Sequence, residues 1–159
     1  MTGENISSMD QQQIVPHTML WLCFASLVLL YSVMLIGVYI SASNVGLFCI
    51  EWPLCPNGFN FPPPKYFFEH YHRVLVVITG VFIYVTAAYA IKNARITGKY
   101  AIASSIIISF QILLGVLVVN TKLQSLIVAI HLSTGVLLFG MTLMTFLSAY
   151  KMTEKQSAI

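Results

Sequence analysis

Four long stretches without a charged side chain alternate with short polar interruptions along this chain. They run from Thr18 to Ile40, Val74 to Ile91, Tyr100 to Thr121 and Leu123 to Tyr150. Each is about as long as the ~20 residues needed to cross the hydrocarbon of a bilayer, and each is dense in Leu, Ile and Val. Backbone in hydrocarbon must satisfy its own hydrogen bonds, and a single segment does this only as a helix. The pattern predicts an all-α integral membrane protein, a four-transmembrane-helix bundle over residues 17–150. Tails cover 1–16 and 151–159, and one long outer loop covers 41–70.

Composition agrees. The chain is 58% hydrophobic and 8% charged, against roughly 25% charged in a soluble domain. With four spans the N-terminus, the 92–99 turn and the C-terminal tail share one side. That side holds Lys92, Arg95, Lys99, Lys151 and Lys155, and the other holds Lys65, Arg73 and Lys122. The basic excess makes the first side cytoplasmic. Both termini are then expected in the cytoplasm and the 41–70 loop outside, with the protein multi-pass in the plasma membrane. The net charge of +3 follows from this topology and carries no sign of nucleic acid. Residues 1–17 contain Glu4 and Asp10 and no Lys or Arg. The basic start of a signal peptide is absent, and the first helix is expected to stay in the mature protein.

The polar chemistry is concentrated in "CIEWPLCPNGFNFPPPKYFFEHYHR", Cys49 to Arg73. This stretch holds two of the three cysteines, five of the six prolines and two of the four histidines. Cys49 and Cys55 are close enough in sequence to bridge, on the side of the membrane where disulfides persist. Cys23 reads as a small apolar thiol packed in the first helix. "FPPPK" reads as a stiff spacer without backbone donors, holding the cysteine loop over the mouth of the bundle. Tyr66, Phe67, Phe68 and Tyr71 resemble an interfacial aromatic belt.

A faint internal repeat runs through the chain. Leu35-Ile36-Gly37-Val38 closes the first helix and Leu114-Gly115-Val116 lies near the end of the third. The helix after each carries a histidine near its outer start, His72 and His131. Both helices run inward from the same side, so the imidazoles sit at similar depth. Ionisable groups at membrane depth usually face an interior site, and two facing imidazoles suit the axial positions of a haem iron. The plainer alternative is that each histidine only bonds a neighbouring helix. Gly80 and Gly135 could let a flat ring approach, or could serve ordinary helix packing.

Glu69 and His72, three apart, share a helix face. If His72 points into the bundle, Glu69 reaches the same cavity, and His70, about 200° away from His72, faces headgroups or a partner. Arg73 is placed to pair with an anion at the interface, either a haem propionate or a lipid phosphate. His17 reads as an interfacial residue far from the other two.

Gly46-Leu47, Cys49-x-x-Trp52-Pro53-Leu54-Cys55, Gly58 and Glu69-x-x-His72-Arg73 together resemble the first outer loop and second helix of the haem A synthase family. "QILLGVLVVNTKLQSLIVAIHLSTGVLL" is similar to that family's segment leading to a second histidine. The resemblance covers about 36–140. It implies oxidation of a ring methyl of haem O to a formyl group, making haem A for haem–copper terminal oxidases. It further implies His72 and His131 as iron ligands, Glu69 as a catalytic residue, a Cys49–Cys55 disulfide, and haem b, substrate haem O, or both as bound groups. Haem O synthase and a haem–copper oxidase are the implied partners. Family members carry two four-helix halves and this chain resembles one, so a homo-oligomer is expected.

Two other classes compete. A bis-histidine membrane cytochrome b, acting as electron carrier or oxidase-associated subunit, would use the same two imidazoles but has no obvious need of Glu69 or the bridged loop. A quinone-linked thiol oxidase would need a second cysteine pair to relay electrons, which is missing.

Overall fold

The computed structural model describes residues 17–43, 45–49, 55 and 60–157. Its elements are α1 (His17–Ala42), a single 3₁₀ turn (Pro64–Tyr66), α2 (Phe67–Asn93), α3 (Arg95–Asn120) and α4 (Ser125–Ser157). All four helices are long and apolar enough to cross a membrane, and the described residues contain no strand. The protein is a multi-pass membrane bundle, as its hydropathy requires. Each helix packs on its neighbour in sequence, and α1 closes against α4. The order is therefore up-down-up-down, with α2 and α4 on one diagonal.

Helix boundaries follow local chemistry. Pro64 opens the 3₁₀ turn, where its missing N–H costs nothing. The carboxylate of Glu69 then sits in the first turn of α2, the favourable end of the helix dipole. The polar turn expected over 92–99 shrinks to one residue. Only Ala94 leaves helical geometry (φ −152°, ψ 83°), and its N–H still bonds the Ala90 carbonyl at 2.8 Å. Gly98 packs against the last turn of α2, where a Cβ would lie 3.4 Å from the Ile91 Cα. At the other end, α4 continues past Tyr150 as helix to Ser157.

The α3–α4 turn is tighter than its residues prefer. Lys122 and Leu123 both take positive φ, 52° and 61°, a region that costs L-residues roughly 1–2 kcal/mol each. In return their N–H groups bond the carbonyls of Val119 and Val118, which the end of α3 would otherwise leave open.

The interior changes character along its length. Midway, one side chain from each helix forms an apolar layer: Leu30, Ile83, Ile108 and Leu138, all at most 3% exposed. Toward the terminal end the packing residues are small, with Cys23, Ala87, Ala90, Ala94, Ala101 and Ala149 buried together with Met19. Such residues let helices approach closely. Ser26 meets Thr86, and Thr97 meets Ser148, across helix pairs. The buried hydroxyls there also bond carbonyls one turn back in their own helices, as Ser26, Thr86, Ser104, Thr142 and Thr145 do. Above the apolar layer, toward the 41–70 loop, the bundle opens.

Candidate haem-binding site

A cavity of about 310 Å³ occupies the loop end of the bundle, within the range of small-molecule pockets. Every helix contributes to its wall, and so do Gly46 and Leu123 from the connections. His72 and His131 both line it, from diagonally opposed helices. His72 lies five residues into α2 and His131 six into α4, about 8 and 9 Å along their axes. The two side chains are therefore level.

The faint repeat has a structural counterpart that the spacing did not reveal. A Cβ on Gly37 of α1 would stand 3.0 Å from Cε1 of His72, and one on Gly115 of α3 would stand 3.6 Å from Cε1 of His131. The hairpins α1–α2 and α3–α4 thus repeat one unit, a glycine on the first helix giving room to the imidazole on the second. Of the two glycines noted in the sequence, Gly80 serves ordinary helix packing and Gly135 lines the cavity. Gly80 packs near Ile108, and the space over Gly135 is taken by the amide of Gln111, 3.1 Å from where a Cβ would be.

Nδ1 of His72 and Nδ1 of His131 are buried without a hydrogen-bond partner. His72 also hydrogen-bonds the main chain of Val33, and Nδ1 of His70, which does not line the cavity, is unpaired as well, so the position of the two rings counts for more than the unpaired atoms. Two level, glycine-backed imidazoles with unfilled nitrogen valences across a mostly apolar cavity fit a haem with two axial ligands. Among the described residues no group of three or more His, Cys, Asp and Glu could hold a bare metal ion.

Glu69 is buried and also lines the cavity, with a partner the sequence did not suggest. The N–H of Cys49 donates to Oε2 at 2.9 Å. Arg73 Nη2 donates both to Glu69 Oε1 and to the Cys49 carbonyl, each at 2.7 Å. One residue of the loop is thereby held at its N–H by an anion and at its C=O by a cation, and the two charges pair with each other. Arg73, which also lines the cavity, secures the loop through these bonds. Cys49 is bonded to Cys55, with Cα atoms 5.1 Å apart, so the clamp acts on a covalently closed segment. Trp52, Pro53, Leu54 and Gly58, which carry the rest of the loop motif, lie outside the described residues.

Other expectations resolve simply. His70 does not face headgroups; it is buried, and its Nδ1 has no partner. The wheel argument gave its direction relative to His72 but not what covers the start of α2. Tyr66, Phe67, Phe68 and Tyr71 stay outside the cavity wall, and Phe67 stacks on Tyr71, as a belt would. His17 opens α1, exposed, at the end far from the cavity. Cys23 is a buried free thiol.

The chain is similar to known proteins over more than half of its length. A family described as "Cytochrome oxidase assembly protein" (COX15-CtaA) matches residues 57–158. A protein named "Heme A synthase" from Lysinibacillus sphaericus is 31% identical over 127 residues, covering 76% of this chain and 41% of the relative. Another of that name from Shewanella oneidensis is 27% identical over 146 residues, covering 80% and 44%. A third, from Macrococcus caseolyticus, is 29% identical over 118 residues, covering 70% and 39%. The chain spans less than half the length of these relatives. With the match extending over well more than half of its residues, this chain belongs to the COX15-CtaA family of cytochrome oxidase assembly proteins.

Proposed function

We propose that the chain is a haem A synthase, or the substrate-handling half of one, converting a ring methyl of haem O to a formyl group. The observation that carries this reading is the pair of level imidazoles across one cavity, each backed by a glycine and each with an unpartnered nitrogen. His72 and His131 would hold the iron of substrate haem O, or of a resident haem b, from opposite faces of the ring. A bound haem supplies redox chemistry that no side chain here possesses.

The chain's own residues supply position and charge. Oxidation of a methyl to a formyl group balances as R–CH3 + H2O → R–CHO + 4 H+ + 4 e−, with the electrons passing to an external acceptor, so an anionic proton acceptor close to that carbon would lower the barrier. Glu69 is the only carboxylate lining the cavity among the described residues. Its two hydrogen bonds leave acceptor capacity on both oxygens, so it can stabilise positive charge or accept a proton while Arg73 holds its orientation. The same ion pair ties Cys49, and with it the Cys49–Cys55 disulfide, to the start of α2 beside the cavity. Haem O synthase and a haem–copper oxidase are the proposed donor and recipient. A second copy of the chain would supply the other four helices that the relatives' length implies, with the termini cytoplasmic and the loop outside in the plasma membrane.

Expression in a host that makes haem O tests the reading. Extracted haem should include haem A, and Glu69→Ala should abolish it while a low-spin haem spectrum persists. Bound haem b with no conversion would instead identify a bis-histidine electron carrier. Cross-linking in mild detergent that finds only active monomers would remove the second copy.

A further inference from the structure

Gln111 stands on α3 one turn below Gly115 and lines the cavity. Its Nε2 donates to the main-chain carbonyl of His131 at 2.8 Å, while its Oε1 is buried with no partner. A carbonyl can only accept, so this bond fixes the amide: the nitrogen must face His131 and the oxygen must face elsewhere. Gly135 makes the seat, since a Cβ there would press on Nε2 at 3.1 Å. The result is an oriented acceptor with no donor, and buried acceptors in that state mark a place where a donor belongs.

The repeat supplies the control. Gln111 lies four residues before Gly115, and Val33 lies four before Gly37. Gly135 lies four after His131, and Val76 four after His72. Both valines line the same cavity, so one imidazole is supported with no amide at all. The polar atom is thus an addition to one side of the site, at the end away from Glu69 and Arg73. A water is a poor occupant. The void of about 40 Å³ next to Gln111 offers it only Thr79 as a second polar side chain, and an ordered buried water usually makes about three bonds.

We propose that Gln111 is a specificity-determining residue whose Oε1 accepts a hydrogen bond from a hydroxyl group on the periphery of the bound porphyrin. This rests on the haem reading given above. Haem O bears such a hydroxyl, on the chain that replaces one vinyl group, at the ring edge opposite its two propionates. With Gln111 at the end of the cavity away from Arg73 and Glu69, a ring hydroxylated on one edge has one favoured orientation, its hydroxyl toward Gln111. That orientation decides which methyl lies next to Glu69.

The test uses the full chain in detergent and two iron porphyrins that differ in their hydroxyls, iron haematoporphyrin (hydroxyethyl groups) and iron mesoporphyrin (ethyl groups). Binding is followed by the low-spin Soret band. Gln111→Leu should weaken iron haematoporphyrin about tenfold and leave iron mesoporphyrin within about twofold, the size of one lost hydrogen bond. Gly135→Ala, which displaces the amide without removing it, should shift the ratio the same way and serves if the Leu variant does not fold. Equal weakening of both porphyrins, or of neither, would overturn the inference, the first outcome assigning Gln111 to support of His131 alone. Failure of the unmutated chain to give a low-spin band with either porphyrin would instead overturn the haem reading.

Discussion

Gly37→Ala and Gly115→Ala make the same chemical change at equivalent places in the two hairpins, and the structure assigns them opposite signs. In an exposed helix interior, Gly→Ala stabilises by about 1 kcal/mol through reduced backbone entropy. At Gly115 the new methyl would meet Cε1 of His131 at 3.6 Å, an ordinary contact, so that gain should be largely kept. At Gly37 it would meet Cε1 of His72 at 3.0 Å, and the ring must move by a few tenths of an ångström. Overpacking of this kind costs about 1–3 kcal/mol, so the balance is a loss of up to about 2 kcal/mol. Thermal unfolding in detergent should show Gly115→Ala at or above the parent and Gly37→Ala below it. With haem added, only Gly37→Ala should change the low-spin electron paramagnetic resonance signal, because only there does an imidazole tilt. Equal behaviour of the two variants, or greater damage from Gly115→Ala, would refute the assignment of these glycines to the imidazoles.

Arg73→Leu leaves Glu69 buried without its cation and the Cys49 carbonyl without that donor, a loss of about 3–5 kcal/mol for a broken buried pair; limited proteolysis should cut the chain around Cys49 faster than in the parent. Replacing Cys49 and Cys55 by Ser should cost about 2 kcal/mol on the entropic account of so short a ring. It should loosen the loop while leaving the 310 Å³ cavity able to bind haem, as Soret titration would report. Ile108→Ala removes one member of the apolar layer and should destabilise the bundle by about 2–5 kcal/mol, with haem affinity falling less than thermal stability.

Much of the architecture was legible because a bilayer leaves the backbone little choice. Four uncharged segments of spanning length had to be helices, and a histidine close behind the start of two helices running the same way had to lie level. Cys49 and Cys55 are near neighbours in the chain, so their pairing needed little further information. Family motifs carried in the 46–73 and 111–138 stretches pointed to the same two histidines.

What the sequence could not specify was the rotation of each helix about its own axis. In a soluble bundle the polar face shows which side is out, but here the lipid-facing side is as apolar as the inside, with Trp21, Phe24, Val81, Ile106, Leu113 and Val136 all exposed. Hydrophobic period therefore carries little phase. The meeting of Gly37 with His72, the seat of Gln111 over Gly135, the burial of His70 and the grip of Glu69 and Arg73 on Cys49 all depend on that phase. So does the one-residue break at Ala94, which rests on a close backbone approach between α2 and α3. Residue type and spacing determined that this chain crosses a membrane and carries two imidazoles at one depth; only packing in three dimensions decided what each of them faces.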